Sequence, residues 1–163
     1  MKTRVTESNA HELARRKRVF LVDQFPITRL AVSEWLNQTP DLSVCGQADN
    51  EETALRAVQR LQPDIVVTEL LRQQDLGFVR KVHQRLPRVP ILVFSFRDEE
   101  WYAPLALAAG ADRFLRKGVG AERLLRSIRA TLAGRTMPSP QAKVRPSSKR
   151  KSRIHRKHRA SNF

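Results

Sequence analysis

The sequence predicts an α/β protein with a five-stranded, parallel, doubly wound sheet and helices on both faces. Short runs of consecutive apolar residues, such as Ile65, Val66 and Val67, lack helical spacing and are typical of strands buried on both faces. Five such runs alternate along the chain with five segments in which apolar residues recur at helical spacing. This alternation predicts parallel strands joined by right-handed crossovers.

The predicted strands are short, and the central one carries the first candidate functional residue. The five strands are placed at residues 19–22, 42–48, 64–70, 90–94 and 114–115. Glu69 lies at the carboxyl end of the central strand, where a buried charge is expensive unless it faces a polar crevice. In open α/β sheets, ligands bind in the crevice at that edge.

The predicted helices follow the strands, and prolines punctuate them. They are placed at residues 26–36, 51–61, 78–86, 98–109 and 121–132. Pro26 suits the first turn of the first helix, and Pro87 ends the third. Pro104 cannot donate a backbone hydrogen bond, so we expect the regular part of the fourth helix to start around Tyr102.

Charge is distributed unevenly along the 163 residues. Residues 1–134 contain 21 Lys and Arg against 16 Asp and Glu, whereas residues 135–163 contain 10 Lys and Arg and no acid. The second segment has almost no large apolar residue, so burial cannot offset the entropy of ordering it. We therefore expect a disordered N-terminal arm at 1–16, a folded domain at 17–134 and a disordered basic tail at 135–163.

Several classes of protein are excluded by composition. Cys45 is the single cysteine, which rules out an internal disulfide framework and suits a reducing compartment. No run approaches the ~20 apolar residues that cross a bilayer, and the chain begins without a signal-peptide pattern. The four histidines show no metal-binding spacing. We expect a cytoplasmic protein with no membrane span and no zinc site.

Four polar residues follow or end predicted strands. Asp23 comes after the first strand, Glu69 lies at the third, Ser95 follows the fourth and Lys117 follows the fifth. Because the carboxyl ends of parallel strands meet at one edge of a sheet, these residues should converge there. The sequence therefore predicts a polar site made by residues far apart in the chain.

At these positions the chain resembles the receiver domain of bacterial response regulators, over roughly residues 17–134. It is most similar to the branch that starts with a Val-Asp-Asp-His-Pro-like motif, here Val22-Asp23-Gln24-Phe25-Pro26. Ser95 stands at the family's Ser/Thr switch position, Phe114 at its aromatic switch position and Lys117 at its lysine. The resemblance implies the flavodoxin-like strand order 2-1-3-4-5 and a place in two-component phosphorelay signalling.

The resemblance also makes the departures informative. In the family, an aspartate at the position of Glu69 accepts a phosphoryl group, and a pair of acids after the first strand holds Mg²⁺. This chain has Glu69 as acceptor and Asp23 with Gln24 in place of the pair. Only a weak Mg²⁺ site at Asp23 is expected, because a negative ligand is missing. The extra methylene of Glu69 also displaces the nucleophile, and a displacement of about 1 Å can cost ~10²-fold in rate.

These departures leave three roles open for Glu69. It can imitate a phosphorylated acceptor by placing its charge near Lys117 and Ser95. It can be the relic of a decayed pocket, paired with Lys117 to satisfy buried charges. It can still accept a phosphoryl group, because Asp23, Ser95 and Lys117 are retained.

Two surfaces are candidates for partner binding. One is formed by the fourth helix, fifth strand and fifth helix, where Trp101 and Tyr102 suit contact with a signalling protein or a second copy. The other is the tail, because a block of like charge often serves as an interaction arm. DNA or RNA is the favoured partner; acidic protein and anionic membrane are the rival partners, and a solubilising extension is the alternative without a partner. Its candidate residues are Lys149, Arg150, Lys151, Arg153, Arg156, Lys157 and Arg159.

The sequence thus favours an atypical receiver, or pseudo-receiver, that is not an enzyme and needs no cofactor. It would act through protein contacts without phosphorylation, with a tail that binds nucleic acid. One alternative is a working phosphoacceptor in a phosphorelay. The other is a non-specific nucleic-acid-binding protein in which the receiver is only a scaffold.

Overall fold

The computed structural model describes residues 16–70 and 75–134. The strands are β1 (Lys17–Val22), β2 (Leu42–Ala48), β3 (Ile65–Thr68), β4 (Ile91–Ser95) and β5 (Arg113–Arg116). The helices are α1 (Pro26–Asn37), α2 (Glu51–Leu61), α3 (Leu76–Arg85), α4 (Glu99–Ala108) and α5 (Ala121–Leu132). Strands and helices alternate throughout, as predicted.

The five strands form one parallel sheet in the order β2-β1-β3-β4-β5, which confirms the predicted fold class. Val22 pairs with Ala48 on one side and with Thr68 on the other, so the carboxyl ends of the first three strands are level. Every residue of β3 is buried, as expected for a central strand covered on both faces. The level ends bring the residues that follow each strand to a common edge.

Helices cover both faces of the sheet and enclose two separate cores. Val32 and Leu36 of α1 pack with Leu124 and Ile128 of α5 on one face. The helices α2, α3 and α4 cover the other face with a second apolar cluster. This cluster includes Ala54, Val58, Val79, Val82 and Ala106.

The start of α4 differs from the prediction. The helix begins at Glu99, before Tyr102, and runs through Pro104. The Asp98 side chain accepts a hydrogen bond from Glu100 N at 2.9 Å and caps the first turn. Both Pro104 and Glu100 are exposed, so water can solvate the carbonyl that the proline leaves unbonded. The predicted start around residue 102 was wrong because this cap outweighs the proline.

The predicted terminal parts fall outside the described residues, apart from Arg16. These parts are the arm at 1–16 and the basic tail at 135–163 with all its candidate residues. In residues 16–70 and 75–134, no helix is long and apolar enough to cross a membrane.

Candidate functional site

The candidate site lies at the carboxyl edge of the sheet, and the sheet's own hydrogen bonds place its backbone. Asp23 N donates to Ala48 O at 3.0 Å, and Glu69 N donates to Val22 O at 2.8 Å. Lys117 N donates to Ser95 O at 2.7 Å. These bonds continue the strand pairing by one residue, so Asp23, Glu69, Ser95 and Lys117 are held at one edge.

The centre of the site is an ion triad of Lys117 with two carboxylates. Lys117 Nζ lies 2.5 Å from Asp23 Oδ2 and also forms a direct ion pair with Glu69 Oε2. The three side chains are only 3%, 9% and 3% exposed, in the order Lys117, Asp23, Glu69. Two formal negative charges therefore share one buried ammonium.

The remaining carboxylate oxygens of the triad are held by backbone amides. Asp23 Oδ1 accepts a hydrogen bond from Phe25 N at 2.8 Å, and Glu69 Oε1 accepts one from Leu70 N at 2.8 Å. The other oxygen, Glu69 Oε2, meets the ammonium of Lys117. Each carboxylate is thus fixed at one oxygen by its own loop and at the other by Lys117.

Ser95 is close to the triad in the fold but bonds elsewhere. Its side chain is fully buried, and its Oγ donates to Leu70 O at 2.7 Å. The same oxygen accepts a hydrogen bond from Arg97 N at 3.1 Å. Both bonds tie Ser95 to the backbone of the loops that follow β3 and β4. In this state its hydroxyl fixes those loops, and it is not bonded to the Glu69 carboxylate.

Three phenylalanine rings surround the Lys117 ammonium. The distances from Nζ to the ring centroids are 6.0 Å for Phe25, 5.6 Å for Phe94 and 5.1 Å for Phe96. Phe94 is buried, whereas Phe25 and Phe96 are 40% and 62% exposed and lie at the surface beside the triad. A cation within about 6 Å of an aromatic centroid gains cation–π stabilisation. The rings therefore add cation–π attraction to the ion pairs of Lys117.

The rings of Phe25 and Phe96 were missed by the sequence analysis. The available signal was their position: Phe25 comes two residues after Asp23, and Phe96 directly follows Ser95. A large apolar side chain next to a predicted polar site is a candidate cover for that site. Whether its ring turns over the site depends on loop geometry, which residue type and spacing do not specify.

In the described part of the chain, no hydrogen bond joins the other two predicted residues to the triad. Gln24 is exposed and lines an open cleft of about 270 Å³ that also borders Asp23 and Glu69 of the triad and the nearby Asp49. Phe114 is 7% exposed and packs in the core beneath α4. Gln24 is therefore a rim residue, and Phe114 belongs to the apolar cluster on the α2, α3 and α4 face.

The donor set of this site does not fit Mg²⁺. The ion prefers near-octahedral oxygen ligands that include carboxylates. Each carboxylate oxygen of Asp23 and Glu69 already meets a backbone amide or the Lys117 ammonium, and the neighbouring Gln24 has no charge. No group of three or more metal-binding side chains occurs among residues 16–70 and 75–134. The ammonium occupies the position where a cation would balance the two carboxylates.

Solved structures of response regulators have the same fold as this chain. A two-component response regulator of the LuxR family from Aurantimonas sp. SI85-9A1 superposes with a TM-score of 0.71 and 30% identity, over 77% of this chain and 91% of that one. The response regulator domain of Thermotoga maritima CheB has a TM-score of 0.67 and 22% identity, over 76% of this chain and 100% of that domain. The second likeness concerns the fold alone.

Comparison by sequence agrees with the structural comparison. The family model of the response regulator receiver domain matches residues 19–129. The chain belongs to the response regulator receiver domain family. GacA of Pseudomonas aeruginosa is 29% identical over 127 residues, 76% of this chain and 59% of GacA. NarL of Escherichia coli K12 is 30% identical over 118 residues, which are 71% of this chain and 55% of NarL. This chain therefore spans less than three fifths of the length of each of these relatives.

Proposed function

We propose that this receiver is a cytoplasmic signalling module that acts through protein contacts without accepting a phosphoryl group. It works as a binding protein, not as an enzyme. The observation that carries the proposal is the ion triad, in which Lys117 is shared by Asp23 and Glu69 and all three are buried. In the family, a lysine at this position meets the incoming phosphoryl group, and here it is already engaged.

The triad opposes phosphorylation for two physical reasons. Attack by Glu69 on a phosphodonor would require its Oε2 to leave Lys117, which breaks a buried ion pair. A phosphoryl group would also add negative charge next to Asp23 without a second cation beside Lys117 to balance it, because the oxygens that would bind Mg²⁺ are engaged.

The first experiment treats the chain with acetyl phosphate and Mg²⁺ and measures the intact mass. The wild-type protein should stay unmodified. The double variant Glu69→Asp/Gln24→Asp restores the family's acceptor and acid pair and should gain one base-labile phosphoryl group. Glu69→Asp alone should react weakly, because two carboxylates then stand where three balance the cation and the phosphate. Phosphorylation of the wild-type chain at Glu69 would overturn the proposal.

The same double variant distinguishes the two remaining roles of Glu69. If Glu69 imitates a phosphorylated acceptor, the unphosphorylated variant should lose partner binding or self-association and recover it on phosphorylation. If the pocket is a relic, association should be the same for the wild-type chain, the unphosphorylated variant and the phosphorylated variant. Size-exclusion chromatography with light scattering measures self-association directly.

The proposed protein-contact surface consists of α4, β5 and α5. Trp101 and Leu105 stand one helical turn apart on α4 and are 73% and 40% exposed. The Arg97 guanidinium lies 5.2 Å from the ring centroid of Tyr102 at the edge of this surface. Exposed aromatic and arginine side chains are enriched at protein interfaces. The surface therefore suits a signalling partner or a second copy of the chain.

The basic tail is proposed to bind nucleic acid through the phosphate backbone. Its 10 Lys and Arg and its lack of acids support this role. Affinity for duplex DNA should be largely independent of sequence and should fall with salt, with a log–log slope of about −0.9 per phosphate neutralised. Deletion of residues 141–163 should abolish the binding and leave the thermal melt of the receiver unchanged. A deletion variant that binds duplex as well as the full chain contradicts this role.

A further inference from the structure

The two edges of the sheet carry opposite charge. Acidic residues collect at the carboxyl edge, in and before the first turns of α2 and α4. Arginines collect at the amino edge, where the strands begin and the helices end. The acids are Asp49, Glu51, Glu52, Asp98, Glu99 and Glu100. The arginines are Arg16, Arg18, Arg60, Arg85 and Arg88.

None of these five arginines forms an ion pair with a carboxylate in the described part of the chain. Arg16 Nε donates to Pro40 O at 3.2 Å, and Arg18 Nη1 donates to Leu61 O at 2.7 Å. Backbone carbonyls orient a guanidinium but leave its full positive charge in place. The charges of these five arginines at the amino edge are therefore not balanced by an ion pair within residues 16–70 and 75–134.

Hydrogen bonds bring Arg18 and Arg85 to the end of α2, the helix that carries Arg60 in its last turn. Arg18 reaches Leu61 at the end of α2, and Arg60 is the residue before Leu61. Arg85, at the end of α3, lies 3.5 Å from Gln59 Oε1 through its Nη1. The ends of α2 and α3 and the start of β1 thus form one continuous surface. Arg60 and Arg85 are exposed on it.

The interaction of arginines with helix dipoles accounts for only part of this cluster. Arg60 and Arg85 lie in the last turns of their helices, where a positive charge contributes about 0.3–1 kcal/mol. Arg88 belongs to the loop between α3 and β4, has no such role and is exposed. The same edge also holds Lys17, which is neutralised locally by Asp64 at 3.1 Å. Arg88 therefore adds an unneutralised charge without a structural requirement for it.

The chain also continues from this edge into its most basic segment. The helix α5 ends at Leu132, and Arg129 in its last turn reaches Asp41, the residue before β2, at 2.7 Å. Residues 135–163, with 10 Lys and Arg and no acid, are attached at this point. The chain therefore leaves the described domain at its amino edge, toward the segment that holds these 10 basic residues.

We propose that the amino edge of the receiver binds the phosphate backbone of nucleic acid together with the tail. Exposed Arg60, Arg85 and Arg88 would contact phosphates that lie beyond those held by residues 135–163. The acidic carboxyl edge is repelled by the same polyanion, so the bound receiver is oriented with its ion triad and α4 directed away from the nucleic acid. This inference rests on the proposed role of the tail and extends it to the folded body.

The test compares two double variants of the full chain that remove the same charge. Arg60→Gln/Arg88→Gln alters the amino edge. Arg116→Gln/Arg123→Gln alters two exposed arginines at the carboxyl edge, one at the end of β5 and one in the first turn of α5. Binding to a short mixed-sequence fluorescent duplex is measured by anisotropy between about 50 and 200 mM salt. Thermal melts confirm that both variants are folded.

The amino-edge variant should bind about tenfold more weakly than wild type at about 0.1 M salt, and its log–log salt slope should be shallower by about 1.8. The carboxyl-edge control should bind within about twofold of wild type, because those arginines do not face the phosphates. Equal affinities and slopes for the two variants would overturn the inference. So would a loss of binding to phosphatidylserine vesicles, without a loss of duplex binding, in the amino-edge variant.

The deletion of residues 141–163 separates this inference from the proposed role of the tail. If the deletion abolishes duplex binding and the amino-edge variant binds like the control, the tail role stands and the edge inference fails. If the deletion has no effect and the amino-edge variant is weakened, the edge binds and the tail role fails. If the wild-type chain does not bind duplex at low salt, both fail.

Discussion

Ion pairs at the two edges of the sheet have opposite surroundings. At the carboxyl edge, the side chains of Lys117, Asp23 and Glu69 are all less than 10% exposed. At the amino edge, the side chains of Asp41 and Arg129 are 45% and 44% exposed. Removing one partner leaves a buried charge without compensation in the first case and a solvated charge in the second. The ion pairs at the carboxyl edge are therefore required for the stability of the fold, whereas the pair at the amino edge contributes little to it.

The largest expected effect comes from Lys117→Met. The methionine preserves most of the aliphatic volume among the phenylalanine rings, but Asp23 and Glu69 lose the ammonium between them. Breaking a buried pair in this way costs about 3–5 kcal/mol of unfolding free energy. Urea denaturation followed by circular dichroism measures the loss.

The matched control for that prediction is Lys17→Met at the amino edge. Lys17 pairs with Asp64 at 3.1 Å, and its side chain is 57% exposed. Its removal should cost less than about 1 kcal/mol. Similar urea midpoints for the two variants would contradict the distinction between the edges, because they would mean that the triad is solvated.

An intermediate effect is expected for Val67→Ala in β3. This side chain is buried in the core between the sheet and the α1 and α5 pair, and its truncation leaves a cavity. The unfolding free energy should fall by about 1–3 kcal/mol, between smaller and larger core truncations. Gln24→Ala, at the exposed rim of the site, should cost far less. Comparable urea midpoints for these two variants would show that the core under the site is less tightly packed than described.

The smallest effect is expected for the exposed pair of Asp41 and Arg129. Hydrogen bonds from the Arg129 guanidinium lower the pKa of the Asp41 carboxyl below its ordinary value. The stabilisation is then present above the unfolded-state pKa of about 3.9 and is lost as pH falls through the lower folded-state value. A double-mutant cycle with Asp41→Asn and Arg129→Gln should give a coupling of about 0.2–1 kcal/mol at pH 7.

The pH dependence provides an independent check on this coupling. Between pH 5 and strongly acidic pH, the wild-type chain should lose slightly more stability than Asp41→Asn, because the variant has no carboxylate to protonate at this position. Added salt should reduce the coupling, since both groups are exposed. A coupling that is independent of both pH and salt would show that the pair is not electrostatic in origin.

Much of the fold could be predicted because periodicity reports burial directly. The bounds of β2, α2 and α5 agree with the sequence analysis at every residue. The start of α4 could not be predicted in this way, since a cap from the Asp98 side chain and the exposure of Pro104 decide it together. Local competition between a cap and a proline depends on which face of the helix meets water. That information comes from the tertiary structure.

The convergence of the four polar residues could be predicted, whereas the bonds between them could not. Asp23, Glu69, Ser95 and Lys117 converge because their strands are parallel and end at the same level. The sequence does not specify that Lys117 divides its ammonium between two carboxylates, or that Ser95 bonds to backbone. Those connections depend on side-chain rotamers, which the surrounding loops select.

The backbone and side chain of Asp41 bring both ends of the described domain to one place. Lys17 N donates to Asp41 O at 2.8 Å at the start of β1, and Arg129 near the end of α5 holds the Asp41 carboxylate at 2.7 Å. Segments attached before Arg16 and after Gly134 therefore leave the domain as neighbours. Two modules joined through a short flexible connection meet at an effective concentration on the order of millimolar. A ligand that contacted both segments would therefore be bound bivalently, with an avidity above its affinity for either segment alone.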